Sequence, residues 1–409
     1  MLSSQIPAVL FLNPWERRIG PNRYLVEILG NAPGLAQKAT VVLHEAADAR
    51  EEYQRLGCKV AVWEEIAQIR AGKSWGNLAG LVKRHSLGLG RVLRRFGANR
   101  PDLIVSNTEH LLLGDLASKF FGIPHLKIFH AITFSYRLQG RHRAIRAYLR
   151  ILTFGSTRII AVSDTQKRAL ISGGLANGAV IMVPNPIPVK ELGRDALKPL
   201  PASLGKRLKS TGPLLVNVGR ISPLKGQDQL IEALPALIKE YPNLLCIFAG
   251  QLGSDSGLEN PNDFLNTIQK RIHDLGLANH VLLIGEIDYI PSLLRRADLY
   301  VHTSRMESFC RSIAEALVCG TPVVAFDSGA VPEVAGPGAI LVPSGDTAAL
   351  AAAIIDLLSR QELRELLANQ GHEHVARYFG APQVARQFTE VLMREFHARQ
   401  CAGFNQCVE

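Results

Sequence analysis

Short apolar runs rich in β-branched residues alternate along the chain with stretches whose apolar positions recur every three or four residues. In the first half the runs predict strands at Ala8–Leu12, Thr40–His44, Lys59–Trp63, Leu103–Ser106, Leu126–His130, Arg158–Val162 and Val180–Val183. Helical patterns separate most of them. Pro21–Leu29 opens on a proline, which suits a first helical turn, and Leu111–Phe121 is a second example. Strand and helix in alternation predict an α/β fold, a parallel sheet with helices on both faces.

The rhythm breaks at Val183-Pro184-Asn185-Pro186-Ile187-Pro188, where closely spaced prolines can continue neither a helix nor a central strand. This segment reads as an interdomain linker. The pattern then restarts with strands at Leu214–Val218, Leu245–Ala249, Val281–Ile284, Leu299–Thr303 and Pro322–Phe326. Helices are expected at Gln227–Tyr241, Asp263–Leu275, Pro291–Arg296 and Ser312–Cys319, followed by Thr347–Ser359, Gln361–Phe379 and Pro382–Arg399. No short-period repeat is present. A length of 409 residues suits two or three domains, and the expected division is a first domain over 1–188 and a second over 189–381. In open parallel sheets ligands bind beyond the carboxyl ends of the strands. Two such domains facing a cleft would suit a two-substrate reaction that closes to exclude water.

Composition narrows the class. Hydrophobic residues make up 47% and charged residues 20%, ordinary for a globular protein. The six cysteines form no C-x-x-C pair, which argues against a zinc site and a disulfide framework and suits a reducing compartment. The amino terminus lacks the basic start and long apolar stretch of a signal peptide, and no apolar run is long enough to span a bilayer. A cytoplasmic location is expected. The net charge of +10 is uneven: residues 1–185 carry +13 and the remainder −3. The first half should therefore attract something anionic.

Two segments carry candidate chemistry. In Glu307-Ser308-Phe309-Cys310-Arg311-Ser312-Ile313-Ala314-Glu315, two glutamates bracket a strand end and a helix start. Backbone N–H groups of Phe309, Cys310 and Arg311 at that start would favour a phosphate, and the carboxylates could accept hydrogen bonds from sugar hydroxyls on either side. Taken singly, each glutamate could equally be a capping or surface group. In Val218-Gly219-Arg220-Ile221-Ser222-Pro223-Leu224-Lys225-Gly226, the glycines are wrongly spaced for a dinucleotide fingerprint or a P-loop. Arg220 and Lys225 instead put two positive charges at a strand's carboxyl end, able to neutralise a leaving diphosphate without a metal. Alone they could be solvated surface charges.

The second half resembles the retaining glycosyltransferases of family 4, also called group 1, which have the GT-B fold. The resemblance runs from Val216 to about Ala352. It includes the Gly-Arg-x5-Gly segment, Phe248-Ala249-Gly250, Gly285-Glu286-Ile287, and Glu307-x7-Glu315 with Gly320-Thr321-Pro322-Val323-Val324. It implies two Rossmann-like domains facing an interdomain cleft, with the last helix (382–400) packed back on the first. It also implies that Arg220 and Lys225 grip the donor diphosphate, Glu307 contacts the transferred hexose and Glu315 binds the ribose. Ile287 would meet the nucleobase through its backbone, and Gly219, Gly250, Gly285, Ser308, Phe309, Cys310 and Arg311 would complete the donor site. Two departures stand out. Glu307-Ser308-Phe309-Cys310 replaces a common Glu-Gly-Phe-Gly, and Gly250-Gln251-Leu252-Gly253 replaces a common Gly-x-Gly-Pro. In the first half the family's glycine pair is represented best by Gly20, whose bland reading is a tight turn. His130 fits the family's functional histidine, able to bond the sugar, against the alternative of a histidine packed at a strand end. His44 and His110 also follow strand signals and match nothing specific.

The resemblance implies transfer of a hexose from a nucleoside-diphosphate sugar, UDP-glucose as first candidate, to a hydroxyl of a saccharide or lipid-linked acceptor. Polysaccharide or glycolipid assembly is the expected setting, with no metal and no cofactor. A same-fold epimerase or phosphorylase, or a catalytically silent partner in a polysaccharide assembly complex, remains an alternative. The run Tyr136–Arg150 has five arginines and no acids, and Leu81–Arg100 is also basic. Such helices can lie on an anionic membrane or merely present a solvated face. Nucleic acid is not expected, because a basic patch without a binding motif is a weak signal.

Overall fold

The computed structural model describes residues 6–15, 20–44, 49–63, 66, 95–96, 100–131, 142–208, 212–252 and 261–405. The chain divides into two compact units. One comprises Met1–Pro186 with Ala381–Glu409, the other Ile187–Gly380.

The first unit is built on seven parallel strands: β1 (Val9–Leu12), β2 (Ala39–Leu43), β3 (Lys59–Val62), β4 (Leu103–Ser106), β5 (His125–Phe129), β6 (Arg158–Ala161) and β7 (Val180–Met182), in the order 3-2-1-4-5-6-7. Helices α1 (Gly20–Gly30), α2 (Pro33–Lys38), α3 (Ala49–Arg55), α4 (Leu113–Phe121), α5 (His142–Leu152) and α6 (Asp164–Ser172) connect them. β1, β4 and β5 are buried at every position, which is why they read as continuous apolar runs rather than alternations. β5 nevertheless carries two buried polar side chains. Lys127 pairs with Asp115 of α4 and donates to the Leu152 carbonyl. His125 Nε2 lies 2.8 Å from Ser106 Oγ.

The second unit begins with α7 (Val189–Ala196) and α8 (Ala202–Leu208). Its six parallel strands are β8 (Leu214–Val218), β9 (Leu245–Ala249), β10 (Val281–Gly285), β11 (Leu299–His302), β12 (Val323–Asp327) and β13 (Ala339–Pro343), in the order 10-9-8-11-12-13. The intervening helices are α9 (Gln227–Glu240), α10 (Pro261–Asp274), α11 (Ile290–Arg296), α12 (Arg311–Val318), α13 (Val331–Ala335), α14 (Thr347–Ser359) and α15 (Gln361–Phe379). Leu230, Leu234 and Leu237 of α9 share a buried cluster with Leu350, Ile354 and Leu357 of α14.

The final helix, α16 (Ala381–Asn405), returns to the first unit. Phe388 stacks on Phe11 of β1 at 6.4 Å and meets Tyr24 of α1 edge-on at 6.1 Å. Glu395 pairs with Arg158 Nε at 3.0 Å, and Gln387 donates to the Met182 carbonyl at 2.9 Å. Each sheet reverses its strand order beside its first strand, between β1 and β4 and between β8 and β11. That is the topological switch point where Rossmann-like domains hold ligands.

Several expected boundaries shift. The helix anticipated at Ser312–Cys319 is Arg311–Val318, the strand at Pro322–Phe326 is Val323–Asp327, and the helix at Pro382–Arg399 runs Ala381–Asn405. β13 and the short helices α2, α3, α7, α8 and α13 had no periodic signal long enough to read. Most of the basic stretch Leu81–Arg100, and Tyr136–Arg141, lie outside the described residues.

Candidate active site

The switch point of the second sheet gathers the chemistry. β8 feeds the loop Gly219–Lys225, and β11, its neighbour, feeds Thr303–Cys310. Contacts tie the second loop to the first and to the start of α9. Arg305 pairs with Asp228 at 2.8 Å, its backbone N–H donates to the Leu224 carbonyl at 2.9 Å, and Thr303 Oγ1 donates to the Lys225 carbonyl at 3.2 Å. Gln227 braces the first loop from within, donating to the Arg220 carbonyl at 2.9 Å and accepting from the Ser222 N–H at 3.3 Å.

Glycine permits two close approaches. A Cβ on Gly250 would lie 2.3 Å from the Gly219 carbonyl oxygen, and one on Gly329 would lie 2.2 Å from that of Glu307. Gly250 adopts φ +142° and Gly329 φ +56°, so both positions need glycine sterically and conformationally. Gly250 thus has a packing task beside the Gly219–Arg220 peptide. Gly329 backs the Glu307 backbone, whose carbonyl accepts from the Ala330 N–H at 3.0 Å.

Lys225 and Glu307, far apart in sequence, meet here with Nζ 2.5 Å from Oε1. Burial disfavours both charges, yet each ion holds the other. Lys225 raises its pKa on Glu307, and the Glu307 carboxyl is held well below the usual carboxylate range by Lys225 and by the His302 hydrogen bond. His302 Nε2 lies 3.3 Å from the same Oε1. Burial lowers the His302 pKa, Glu307 opposes this and Lys225 adds to it, so the imidazole is neutral at pH 7. Cys310 Sγ lies 3.2 Å from His302 Nε2, and burial pushes its thiol pKa up. Among the described residues, His302, Glu307 and Cys310 are the one group offering three metal-ligand atoms within 4.8 Å of one another. The ammonium of Lys225 already sits on the oxygen they would share.

Cys310 is the only non-glycine among the described residues with positive φ, at 73°. It immediately precedes α12. A side chain there costs conformational energy that the surrounding packing must offset. Phe309 is 2% exposed, its ring edge-on to Phe379 at 5.1 Å. Any donor contact by Phe309 is therefore left to its backbone. Glu315, one turn into α12, is buried, with Arg311 Nε at 3.6 Å from Oε1. Arg220 is exposed beside the switch point, Ser308 and Ile287 are half-buried, and a Cβ on Gly285 would meet nothing within 4 Å.

The first unit has its own polar cluster at the matching place. Asn13 follows β1, Asn107 follows β4 and His130 follows β5. Asn107 Nδ2 donates to Asn13 Oδ1 at 3.0 Å and to the Pro21 carbonyl at 2.8 Å, which orients the amide. Asn107 Oδ1 must then accept, so His130 donates its Nε2–H across 2.8 Å. Asn13 is held in turn by Asn22 at 2.8 Å and by the Tyr53 hydroxyl at 3.0 Å. Gly20 heads α1, and a Cβ there would meet nothing within 4 Å. Reading the sequence missed Asn13 and Asn107. Their available signal was an amide directly after each of two adjacent strands. It also missed Tyr300 and His302, whose place inside a buried strand hides them.

Comparison with known proteins fits this geometry. Residues 204–374 match the family model of Glycosyl transferases group 1, and residues 20–191 that of Glycosyltransferase Family 4. A phosphatidyl-myo-inositol mannosyltransferase of Mycobacterium leprae is 33% identical over 225 residues, 54% of this chain and 54% of that protein. A D-inositol 3-phosphate glycosyltransferase of Saccharomonospora viridis is 34% identical over 176 residues, 40% of this chain and 39% of that protein. The matched region thus spans about half or less of these curated relatives. Over nearly the whole chain, the crystal structure of Anabaena Alr3699/HepE in complex with UDP-glucose superposes with a TM-score of 0.76 at 25% identity, covering 95% of this chain and 100% of that one.

Proposed function

The chain belongs to the group 1, family 4 glycosyltransferases of GT-B fold, and from that premise we propose that it is an active retaining transferase that moves a hexose from a nucleoside-diphosphate sugar to an acceptor hydroxyl. The observation that carries the reading is the Lys225–Glu307 contact at the second switch point, beside the amino-terminal end of α12. A cation and a carboxylate held together there suit the two ends of a nucleotide sugar, with Lys225 and Arg220 toward the diphosphate and Glu307 toward the hexose. The bond from the anomeric carbon to the diphosphate oxygen breaks, and the acceptor oxygen bonds to the same face. The acceptor's proton passes to the departing diphosphate, so no dedicated base is required. Two positive charges and a helix amino terminus stabilise the developing charge, so we assign no metal to the step. Glu315 is assigned to the ribose, and His130 to a sugar hydroxyl.

UDP-glucose is the proposed donor, supported by the Anabaena protein bound to it. The mycobacterial mannosyltransferase makes mannose the competing sugar. The proposed acceptor is a saccharide or lipid-linked sugar in polysaccharide or glycolipid assembly at a cytoplasmic membrane face. No helix among the described residues is long and apolar enough to cross a membrane. α5 buries Ile145 and Leu149 and exposes Arg143, Arg146 and Arg150, a face suited to anionic lipid headgroups. The deciding experiment is a hydrolysis and transfer screen of the purified chain with uridine, guanosine and adenosine diphosphate sugars, with and without a lipid-linked acceptor. Turnover of UDP-glucose above the others is expected. Inertness toward every donor would refute the enzyme reading, and conversion of a nucleotide sugar to its isomer with no nucleoside diphosphate released would favour an epimerase.

A further inference from the structure

We propose that Tyr300 and His302 form a buried positioning pair that keeps Glu307 ionised and aimed when the donor draws Lys225 away; the inference rests on the assignment of Glu307 to the sugar. Both residues lie on β11, with Tyr300 fully buried and His302 at 1% exposure. The hydrogen-bond roles follow from one end. Glu307 is ionised and can only accept, so the proton on His302 sits on Nε2, 3.3 Å from Oε1. Nδ1 is then the acceptor nitrogen, and the Tyr300 hydroxyl lies 3.2 Å from it. The same hydroxyl donates to Ser312 Oγ at 2.8 Å. The Val218 carbonyl, 3.3 Å from that hydroxyl, is its longer alternative acceptor. A line of polar contacts therefore runs from the first turn of α12 through Tyr300 and His302 to Glu307, whose carboxylate sets the imidazole tautomer.

Cys310 closes the remaining edge of the ring. Its Sγ contacts Nε2 at 3.2 Å, from a backbone with φ 73°. A glycine at that position would relieve the backbone and leave a gap beside the imidazole. The thiol fills it.

Lys225 and His302 share Glu307 Oε1. A diphosphate competes for Lys225, because an anion of higher charge attracts the ammonium more strongly than a carboxylate does. Once Lys225 turns to it, the N–H of His302 is the contact that still restrains the buried carboxylate. The pair should matter little for the nucleoside diphosphate itself and much for the hexose.

The test uses the full chain with calorimetry against UDP and UDP-glucose, and donor-hydrolysis kinetics. His302→Leu removes the donor to Glu307. His302→Gln restores an N–H near the Nε2 position. Tyr300→Phe removes one hydroxyl and keeps the packing, so it reports even where His302→Leu folds poorly. His302→Leu is expected to bind UDP as wild type does, while UDP-glucose affinity and kcat fall about 10- to 100-fold, the scale of one hydrogen bond to a charged group. His302→Gln should recover most of the loss. Tyr300→Phe should lose about 3- to 10-fold, again only with the sugar present. Equal loss of UDP and UDP-glucose affinity, or a glutamine variant no better than leucine, would overturn the positioning role. So would a folded Tyr300→Phe protein indistinguishable from wild type. If the wild type binds UDP but no nucleotide sugar, the assignment of Glu307 fails first and takes the pair with it.

Discussion

Separating Lys225 from Glu307 should cost stability as well as activity, and a double-mutant cycle can measure the first without the second. The perturbations are Lys225→Met, Glu307→Gln and both together, in protein without ligand. The ions are 2.5 Å apart, with side chains only 24% and 11% exposed. At an effective dielectric of 20, two unit charges at that distance attract by about 7 kcal/mol, most of which offsets the cost of taking them out of water. Removing one partner strands the other. Lys225→Met leaves a buried carboxylate without its cation and should destabilise the second unit by about 3 kcal/mol. Glu307→Gln leaves an ammonium on a flexible stem that can reach water, at about 1–2 kcal/mol. The double variant should cost no more than Lys225→Met alone, giving a coupling of at least about 1–2 kcal/mol. Glu307 has its folded pKa lowered, so its share is present above its ordinary value of 4.5 and lost as pH falls through the lowered folded value. Lys225 has its pKa raised, so its share is present below 10.5 and lost as pH rises through the raised value. The coupling should therefore hold across neutral pH. Hydrogen exchange of the β8 and β11 amides during urea titration reads the second unit. All three tryptophans lie before residue 76, so their fluorescence serves as the internal control. Additive single effects within about 0.5 kcal/mol would refute the reasoning.

Four further outcomes are expected. Arg220→Ala should lower donor turnover about 100- to 1,000-fold, the usual loss of one preorganised charge stabiliser, and steady-state kinetics showing wild-type turnover would remove its role. Glu315→Gln should weaken calorimetric binding of the free nucleoside diphosphate while Glu307→Gln spares it; equal effects of both would contradict the division of labour. Burial lowers the His125 pKa from 6.5 to about 4, so the folded state resists protonation there. The first unit should lose up to about 3 kcal/mol as pH falls through that window, with stability fully present above it. Urea melts followed by tryptophan fluorescence should show this loss flattened in His125→Gln, and identical profiles for the two proteins would exclude the assignment. Finally, Arg143, Arg146 and Arg150 changed to Gln should weaken salt-sensitive sedimentation with anionic liposomes and leave donor hydrolysis intact. A wild type with no anionic-lipid preference at low salt would reduce these arginines to a solvated face.

The fold was legible where burial is two-sided. β1, β4, β9 and the rest of the central strands read as apolar runs because both faces are covered by helices. β13 escaped because Ala339–Pro343 follows a glycine-proline turn and is partly exposed along most of its length. Five short helices had too few turns to show a period. At the candidate site, Lys225 and Glu307 were singled out by motif, and the fold brings them into contact across the switch point. Tyr300 and His302 were hidden because alternation in a buried strand accounts for them without any chemistry. Their partner Glu307 is near in sequence, but the reversal at Thr303–Met306 that folds it back appears only in three dimensions. The left-handed backbone at Cys310 likewise had no local cue. The residue there is cysteine where the resembled motif has glycine, and the chain keeps the glycine-like conformation.

The return of α16 to the first unit bears on the order in which the protein can be made. Phe388 is fully buried against Phe11 and Tyr24, so the core around β1 and α1 is incomplete without it. At about 5–20 residues per second, a ribosome that has finished Pro186 needs roughly 10–40 s more to reach Ala381. During that interval the nascent first unit presents an uncovered aromatic face, while the second unit, contiguous from Ile187 to Gly380, is complete at the interval's end, before any of α16 has been made. The later-synthesised unit can therefore finish folding before the earlier one, and a chaperone that shields Phe11 and Tyr24 would be needed most in the seconds before the last helix emerges.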